Sequence, residues 1–376
     1  MSKSLAKMKF ESSANAIYAR MSPAMQERAQ ALGKLHSYYE ETEFDAQFEV
    51  YFEEMMVNVV AQLFGHSGKQ RVIFVMGESN SGKTSLVEHH LLRRPELQPF
   101  VDDDGEERSP ILRFDGPSKR TGKALALAGL KALDYDIKSK TMSEQDLYSL
   151  FVDQMIENGK VIAHIDEMQQ IVRDDDEDKI ASVADVIKLM AQVKDYPIHL
   201  IFSGLPTLGN FLSAQEDAPN RDQQLSNRAH SVVNLPRMSS TADEDTAMVT
   251  TAMTKISVLT GLKLGDVTDA ETVDRIMHAS SYAFGSIVEL VKKAFVNALT
   301  YGDNVVEKQN FAAAYSQWRG CLPEENIMSA KEWKQIEPKN SVSHMLPARV
   351  QKKKQEPADA ANIPTPSAAK KPKKGQ

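Results

Sequence analysis

The chain has 376 residues, 41% of them hydrophobic, and a formal net charge of −7, which allows two ordinary domains or one large α/β domain with appendages. Its single cysteine, Cys321, excludes an internal disulfide and a cysteine-built zinc cluster. No run of about 18 apolar residues is present to cross a bilayer, and Met1 to Lys7 lacks the apolar core of a signal peptide, so a soluble, cytoplasmic protein with no membrane partner is expected.

Residues 1 to 21 carry no strong periodicity. Ser22-Pro23 then forms an N-cap with proline at the first helical position and opens a helix running to about Glu40. Phe44, Phe48, Tyr51, Met55, Val59 and Leu63 recur at spacings of three and four, which predicts a second helix stopped by Gly65. Packing on the following domain is the expected use of so wide an apolar face.

The apolar run Val72 to Met76 leads directly into Gly77-Glu78-Ser79-Asn80-Ser81-Gly82-Lys83-Thr84. A tight loop that leaves a buried strand and opens a helix aims backbone N–H groups at one point, where the helix N-terminus adds positive potential. That point suits a polyphosphate. Gly77 and Gly82 permit close backbone approach, Lys83 reaches the β and γ oxygens, and Thr84 offers a hydroxyl to Mg²⁺. The expected cofactors are ATP and Mg²⁺, and the binding set is Gly77, Glu78, Ser79, Asn80, Ser81, Gly82, Lys83, Thr84 and Ser85.

From Gln70 onward strands and helices alternate. Strands are expected at Arg71 to Met76, Ile111 to Asp115, Val161 to Ile165 and Ile198 to Phe202. Helices are expected at Lys83 to Arg93, Thr121 to Leu133, Ser143 to Asn158 and Ile180 to Val193. Continuous apolar strands separated by helices indicate a parallel sheet covered on both faces. After Pro236 the strand signals cease, and helices near 242–260, 269–279, 284–301 and 307–318 suggest a separate helical lid. The expected division is an N-terminal helical segment (1–69), an α/β nucleotide-binding domain (70–236), a lid (237–322) and a mostly disordered basic tail (323–376). From Arg349 onward eight basic residues face only Glu356 and Asp359, so the body is more acidic than the whole. Any DNA contact must therefore come from a local basic strip or the tail.

Asp166-Glu167 directly follows the third strand, at the carboxyl edge where ligands of open α/β sheets bind. In this Walker B arrangement Asp166 holds Mg²⁺ and Glu167 orients the attacking water. The acidic run Asp174 to Asp178 lacks a glycine-containing Ca²⁺ loop pattern and reads as a solvated loop. Ser203, ending the fourth strand, is the candidate to contact the γ-phosphate or the water. Arg228, with Arg221 second, precedes the last strand, from which an arginine can reach a neighbouring subunit's nucleotide as a finger.

This order of parts resembles the AAA+ ATPases and, within them, the TniB/TnsC-type transposition ATPases, over about residues 25 to 318. The resemblance is carried by the phosphate-binding loop Gly77 to Thr84 (the P-loop), His164-Ile165-Asp166-Glu167-Met168-Gln169-Gln170, the Ser203-Gly204-Leu205-Pro206 turn, Gln224-Leu225-Ser226-Asn227-Arg228 and Ala283-Phe284-Gly285-Ser286-Ile287-Val288-Glu289-Leu290. It implies a P-loop AAA+ domain of the α/β class with an N-terminal helical lead-in and a C-terminal helical lid. It further implies an ATPase that self-associates into a ring or filament on double-stranded DNA, recruits a transposase and is reset by hydrolysis. Two departures stand out. Ser286 occupies the position where many AAA+ lids carry an arginine, and the turn after the fourth strand reads Ser-Gly-Leu-Pro where relatives often have Gly-Thr-Pro.

Lys119, Arg120 and Lys123 cluster at the start of the helix after the second strand, in a loop resembling the one that faces the channel of such assemblies. Phosphate contacts of this kind are nonspecific and salt-sensitive. Two other readings remain at this stage: an ATP-switched adaptor of a protein partner without DNA contact, and an initiator- or loader-like AAA+ ATPase.

Overall fold

A computed structural model describes residues 3–118, 121–135, 137, 142–168, 187, 190, 193, 195–208 and 229–338. Lys119, Arg120, Arg221, Arg228, the acidic run Asp174 to Asp178, most of the helix expected over 180–193 and the basic stretch from Arg349 lie outside the described residues. Three lead-in helices, α1 (Lys3–Tyr18), α2 (Pro23–Ser37) and α3 (Glu43–Ala61), precede β1 (Val72–Gly77) and α4 (Lys83–Arg93). There follow a small hairpin of β2 (Phe100–Val101) and β3 (Glu107–Arg108), then β4 (Ile111–Asp115), α5 (Gly122–Ala132), α6 (Glu144–Glu157), β5 (Ile162–Asp166), β6 (His199–Gly204) and β7 (Ala229–Leu235). The C-terminal part contains α7 (Asp243–Thr260), β8 (Lys263–Leu264), α8 (Ala270–Ala279), α9 (Phe284–Tyr301), β9 (Val305–Val306) and α10 (Lys308–Arg319).

The central sheet has the order β4-β5-β6-β1-β7 with every pairing parallel. Side chains alternate between the faces of a strand, and β1 serves both faces. Val72 and Phe74 pack with Leu125 and Leu130 of α5 and Phe151 and Met155 of α6. Ile73 and Val75 pack with Phe48, Phe52 and Met55 of α3 and Leu86, Val87 and Leu91 of α4. All of these are essentially removed from water, and each large apolar side chain so buried contributes about 1.5–3 kcal/mol. The α/β class and the parallel sheet between helices are as the sequence predicts.

The lead-in is divided between two cores. α3 packs on the sheet, as its periodicity predicts, whereas α2 packs on the C-terminal helices, with Leu35 fully buried among Val249, Ile256 and Leu290. Residues 3–18 form a helix in spite of their weak periodicity, with Met8, Phe10 and Ile17 exposed. Strands do not cease at Pro236, because β8 and β9 form a short parallel pair. The expected start of the tail at residue 323 does not coincide with a break in packing, since Ile327, Met328 and Trp333 are buried in the C-terminal core. Among the described residues no helix is long and apolar enough to cross a membrane.

Candidate nucleotide site

β1 ends in Gly77, and the loop to α4 folds back so tightly that a Cβ there would lie 2.6 Å from Ser81 Oγ and 2.8 Å from Leu235 O. The second of these is backbone and cannot yield, so glycine is required. α4 starts from Gly82, whose φ of 103° is left-handed and which offers no side-chain cap. The first N–H groups of any helix lack intrahelical acceptors, and here the helix opens with no competing side chain over them. Asn80 is also left-handed, with φ 62°. Ser81 Oγ is buried and, among the described residues, has no hydrogen-bond partner inside the cradle. A phosphate oxygen is the kind of group that satisfies it.

Lys83 is only 6% exposed, and its Nζ donates to Gly77 O at 3.0 Å and Glu78 O at 2.8 Å. Burial pulls its pKa down while Asp166, Glu167 and Glu78 pull it up, and the net displacement is downward. The ammonium is thus parked on two carbonyls at the mouth of the cradle. Thr84 Oγ1 donates to Asp166 Oδ2 at 2.5 Å, joining α4 to the end of β5 across 82 residues of sequence.

Strand order determines what lies between them. β6 separates β1 from β5, with Val75 opposite Ser203 and Ile165 opposite Phe202, so Ser203 falls beside Asp166. Ser203 Oγ donates to Asp166 Oδ1 at 2.5 Å and lies 2.8 Å from His164 Nε2, with no exposure to solvent. Burial raises the pKa of Asp166, but hydrogen bonds from Ser203, Thr84 and the Glu167 N–H outweigh it and hold the carboxyl below the usual carboxylate range. An ionised carboxylate beside a threonine hydroxyl is a hard-oxygen donor set suited to Mg²⁺. Together with the glycine-lined cradle and the unpaired Ser81 hydroxyl, it fits a magnesium nucleotide.

Glu167 follows with φ 54°, an unusual conformation for glutamate, and its N–H donates to Asp166 Oδ1 at 2.8 Å. It lines a cleft of about 400 Å³ shared with Lys83, Thr84, Ser286 and Trp318. The far wall of the cleft is the first turn of α9. Ser286 N donates to Asn80 O at 3.2 Å, and a Cβ on Gly285 would lie 2.6 Å from the same oxygen. The lid helix therefore rests directly on the P-loop. On the other side of the loop an apolar pocket is formed by Tyr39 and Phe44 from the lead-in, Leu235 and Pro236 after β7, and Met248 and Phe284 from the lid.

The P-loop residues, Asp166, Ser203 and Glu167 are thus brought to one edge of the sheet. Lys123 is not among them: it is exposed in the first turn of α5, where its N–H donates to Glu144 Oε1 at 3.1 Å. Sequence reasoning quoted Gly285 and His164 only within the motifs that carry the resemblance and gave neither a role, and it missed the apolar pocket. His164 carried a signal, a lone ring nitrogen pair in the otherwise apolar strand Val161 to Ile165. The pocket carried none, because three distant segments supply it.

A five-stranded parallel sheet with this P-loop, Walker B carboxylate and helical lid defines a P-loop protein of the AAA+ class. The solved ORC2 protein of Aeropyrum pernix (ADPNP-ADP complexes) shares this fold, with a TM-score of 0.52, 14% identity and coverage of 76% of this chain and 71% of that one. The ORC1 protein of the same organism in complex with DNA matches at 0.46 and 13% identity over 72% of this chain and 65% of that one. The RuvB Holliday junction branch migration motor of Thermotoga maritima matches at 0.38 and 11% over 73% and 70%. Only the first is close enough to carry the fold assignment. No curated protein matches the sequence significantly. The bacterial TniB protein family matches over residues 51–239, half of the chain, and the chain belongs to that family.

Proposed function

We propose that this TniB-family protein is an Mg²⁺-dependent ATPase that assembles on duplex DNA, recruits a transposase and is reset by hydrolysis. The observation that carries the reading is the Thr84–Asp166 hydrogen bond beside the Lys83 cradle, since it joins the phosphate loop and the Walker B strand at one point. Bound there, Mg²⁺ would neutralise charge on the terminal phosphates. Thr84 and Asp166 would hold the ion, and the Lys83 ammonium, released from its two carbonyls, would pair with phosphate oxygens. Glu167, in the cleft, orients water. Ser203 supports Asp166 from the sheet interior. The apolar pocket between lead-in and lid would take the base. Arg228 of a neighbouring copy completes the site, and Lys119, Arg120 and Lys123 contact DNA phosphates without base readout. A cytoplasmic setting is part of this reading.

The test is ATPase rate and sedimentation with and without duplex DNA, on the parent and on Glu167→Gln. The expected result is ATP-dependent assembly on DNA that the variant traps by slowing hydrolysis. A parent chain that stays monomeric with DNA and ATP refutes the reading. Neutralising Lys119 and Arg120 should weaken DNA binding and leave nucleotide binding intact.

A further inference from the structure

His164 has no part in the roles given above, yet its surroundings are unusually constrained. It lies in β5 between β4 and β6, opposite Arg113 on one side and Ile201 on the other, and is 3% exposed. A polar ring so deep in a sheet is costly unless hydrogen-bonded, and its Nε2 finds Ser203 Oγ at 2.8 Å. The hydrogens can be counted. A serine hydroxyl has one to give, and an ionised carboxylate can only accept. Ser203 Oγ is 2.5 Å from Asp166 Oδ1, so its hydrogen goes there. Ser203 must then accept from His164, which requires the tautomer with hydrogen on Nε2.

Among the described residues Asp166 has three donors: Ser203 and the Glu167 N–H on Oδ1, and Thr84 on Oδ2. Thr84 is itself a metal ligand in the reading above, so only the Oδ1 donors hold the carboxylate independently of metal. Of those two, the Ser203 hydroxyl is the rotatable one. A hydroxyl free to rotate would populate other acceptors, and an N–H aimed at its lone pair removes that freedom.

We propose that His164 is a positioning residue for the metal site: its Nε2–H orients the Ser203 hydroxyl, which fixes the Asp166 carboxylate to receive Mg²⁺. This rests on the magnesium-nucleotide reading of the site. It also alters the role expected of Ser203, whose one hydrogen is committed to the metal ligand and not to the terminal phosphate. Hydrogen-bonding partners that orient metal ligands are worth about 10- to 100-fold in metal affinity, and a two-step relay belongs at the lower end of that range.

The experiment is a Mg²⁺ titration of the full chain with a fluorescent, non-hydrolysable ATP analogue, with EDTA as the metal-free reference. His164→Leu should raise the half-saturating Mg²⁺ concentration about tenfold, while analogue affinity in EDTA stays at the parent value. His164→Gln, whose amide can donate from a similar place, should recover most of the loss. Ser203→Ala should match His164→Leu, and the double variant should be no worse than the single ones, because both changes cut the same relay. An unchanged Mg²⁺ requirement in His164→Leu overturns the proposal, as do losses that add in the double variant. An equal loss in EDTA also overturns it, since that is the mark of a merely structural residue. If His164→Leu does not unfold cooperatively, Ser203→Ala and His164→Met carry the same comparison. Failure of the underlying reading looks different: the parent itself would bind the analogue no better with Mg²⁺ than without.

Discussion

Gly285 offers the sharpest test of how the lid meets the P-loop. In Gly285→Ala the new Cβ would stand 2.6 Å from Asn80 O and 3.2 Å from Gly82 N. Both are backbone atoms of the phosphate loop, so relief cannot come from a side chain swinging aside. Ordinary contact requires the first turn of α9 to retreat by roughly 0.5–1 Å, and overpacking of this kind costs about 1–3 kcal/mol. The Ser286 N to Asn80 O bond, already 3.2 Å long, would be lost with that retreat, at about 0.5–1.5 kcal/mol. Alanine is the better helix former by about 0.5–1 kcal/mol, which offsets a part. The net strain falls on the junction and not on the lid core, where Ile287, Leu290 and Val291 are fully buried. The expected outcome is an adenine-nucleotide affinity lowered about tenfold, since 1.4 kcal/mol is a factor of ten. Titration calorimetry checks it, with Ser286→Ala as a companion that adds no bulk. Nucleotide affinity within twofold of the parent in Gly285→Ala would refute the reasoning.

Three further outcomes are expected. Trp333→Ala should destabilise the C-terminal core by about 3–5 kcal/mol, the usual range for a large buried aromatic, because Trp333 is 5% exposed and packed in that core beyond the expected lid boundary; denaturant unfolding measures it. Lys83→Ala should abolish detectable nucleotide binding in an equilibrium dialysis assay while leaving the far-UV dichroism spectrum unchanged. His90 should confer pH-dependent stability. Its Nδ1 lies 2.7 Å from Glu49 Oε2 and its Nε2 3.0 Å from Asp45 Oδ1. Burial lowers its pKa, but these carboxylates outweigh burial and raise it above 6.5. A raised folded-state value means the stabilisation is complete below the unfolded value and disappears as pH rises through the folded one. His90→Gln should therefore lose about 1–2 kcal/mol at pH 6, as expected for charge-assisted hydrogen bonds, and progressively less at pH 8 and 9, by thermal unfolding across that range.

The sheet was readable because parallel strands buried on both faces are written as continuous apolar runs; Val72 to Met76 is such a run, and Ile198 to Phe202 is one but for His199. The P-loop and Asp166 were readable because their chemistry depends on local spacing next to such a strand. Pairing is another matter. Nothing in the residues of β6 says that it lies between β1 and β5, and only that order puts Ser203 against Asp166. Periodicity likewise marks the face of α2 that is buried without saying what buries it, and Leu35 turned out to belong to the lid core. The hairpin β2–β3 has two residues per strand, too few for an alternating pattern. Gly285 reads as an ordinary helix-start glycine until the P-loop carbonyl beside it is known.

The lead-in ties these parts together at the P-loop. α2 belongs to the lid core and α3 to the sheet core, so the segment joining them, Tyr38 to Thr42, must span from one to the other. Its ends are fastened on both sides. Glu40 accepts from Lys255 Nζ of α7 at 2.6 Å, and the Tyr38 carbonyl accepts from Lys292 Nζ of α9 at 2.7 Å. On the sheet side the Thr42 N–H and the Tyr39 hydroxyl both donate to Asp45 at 2.7 Å, and Asp45 is held in turn by His90 of the P-loop helix. The two sheet-side residues, Tyr39 and Thr42, also line the apolar pocket beside Ser81 and Gly82. A rigid rotation of the lid away from the P-loop must therefore carry Tyr38 and Glu40 with it while Thr42 stays with α3, and the backbone between them absorbs the whole difference. The pocket wall at Tyr39 and Thr42 is for that reason set jointly by the lid core and the sheet core.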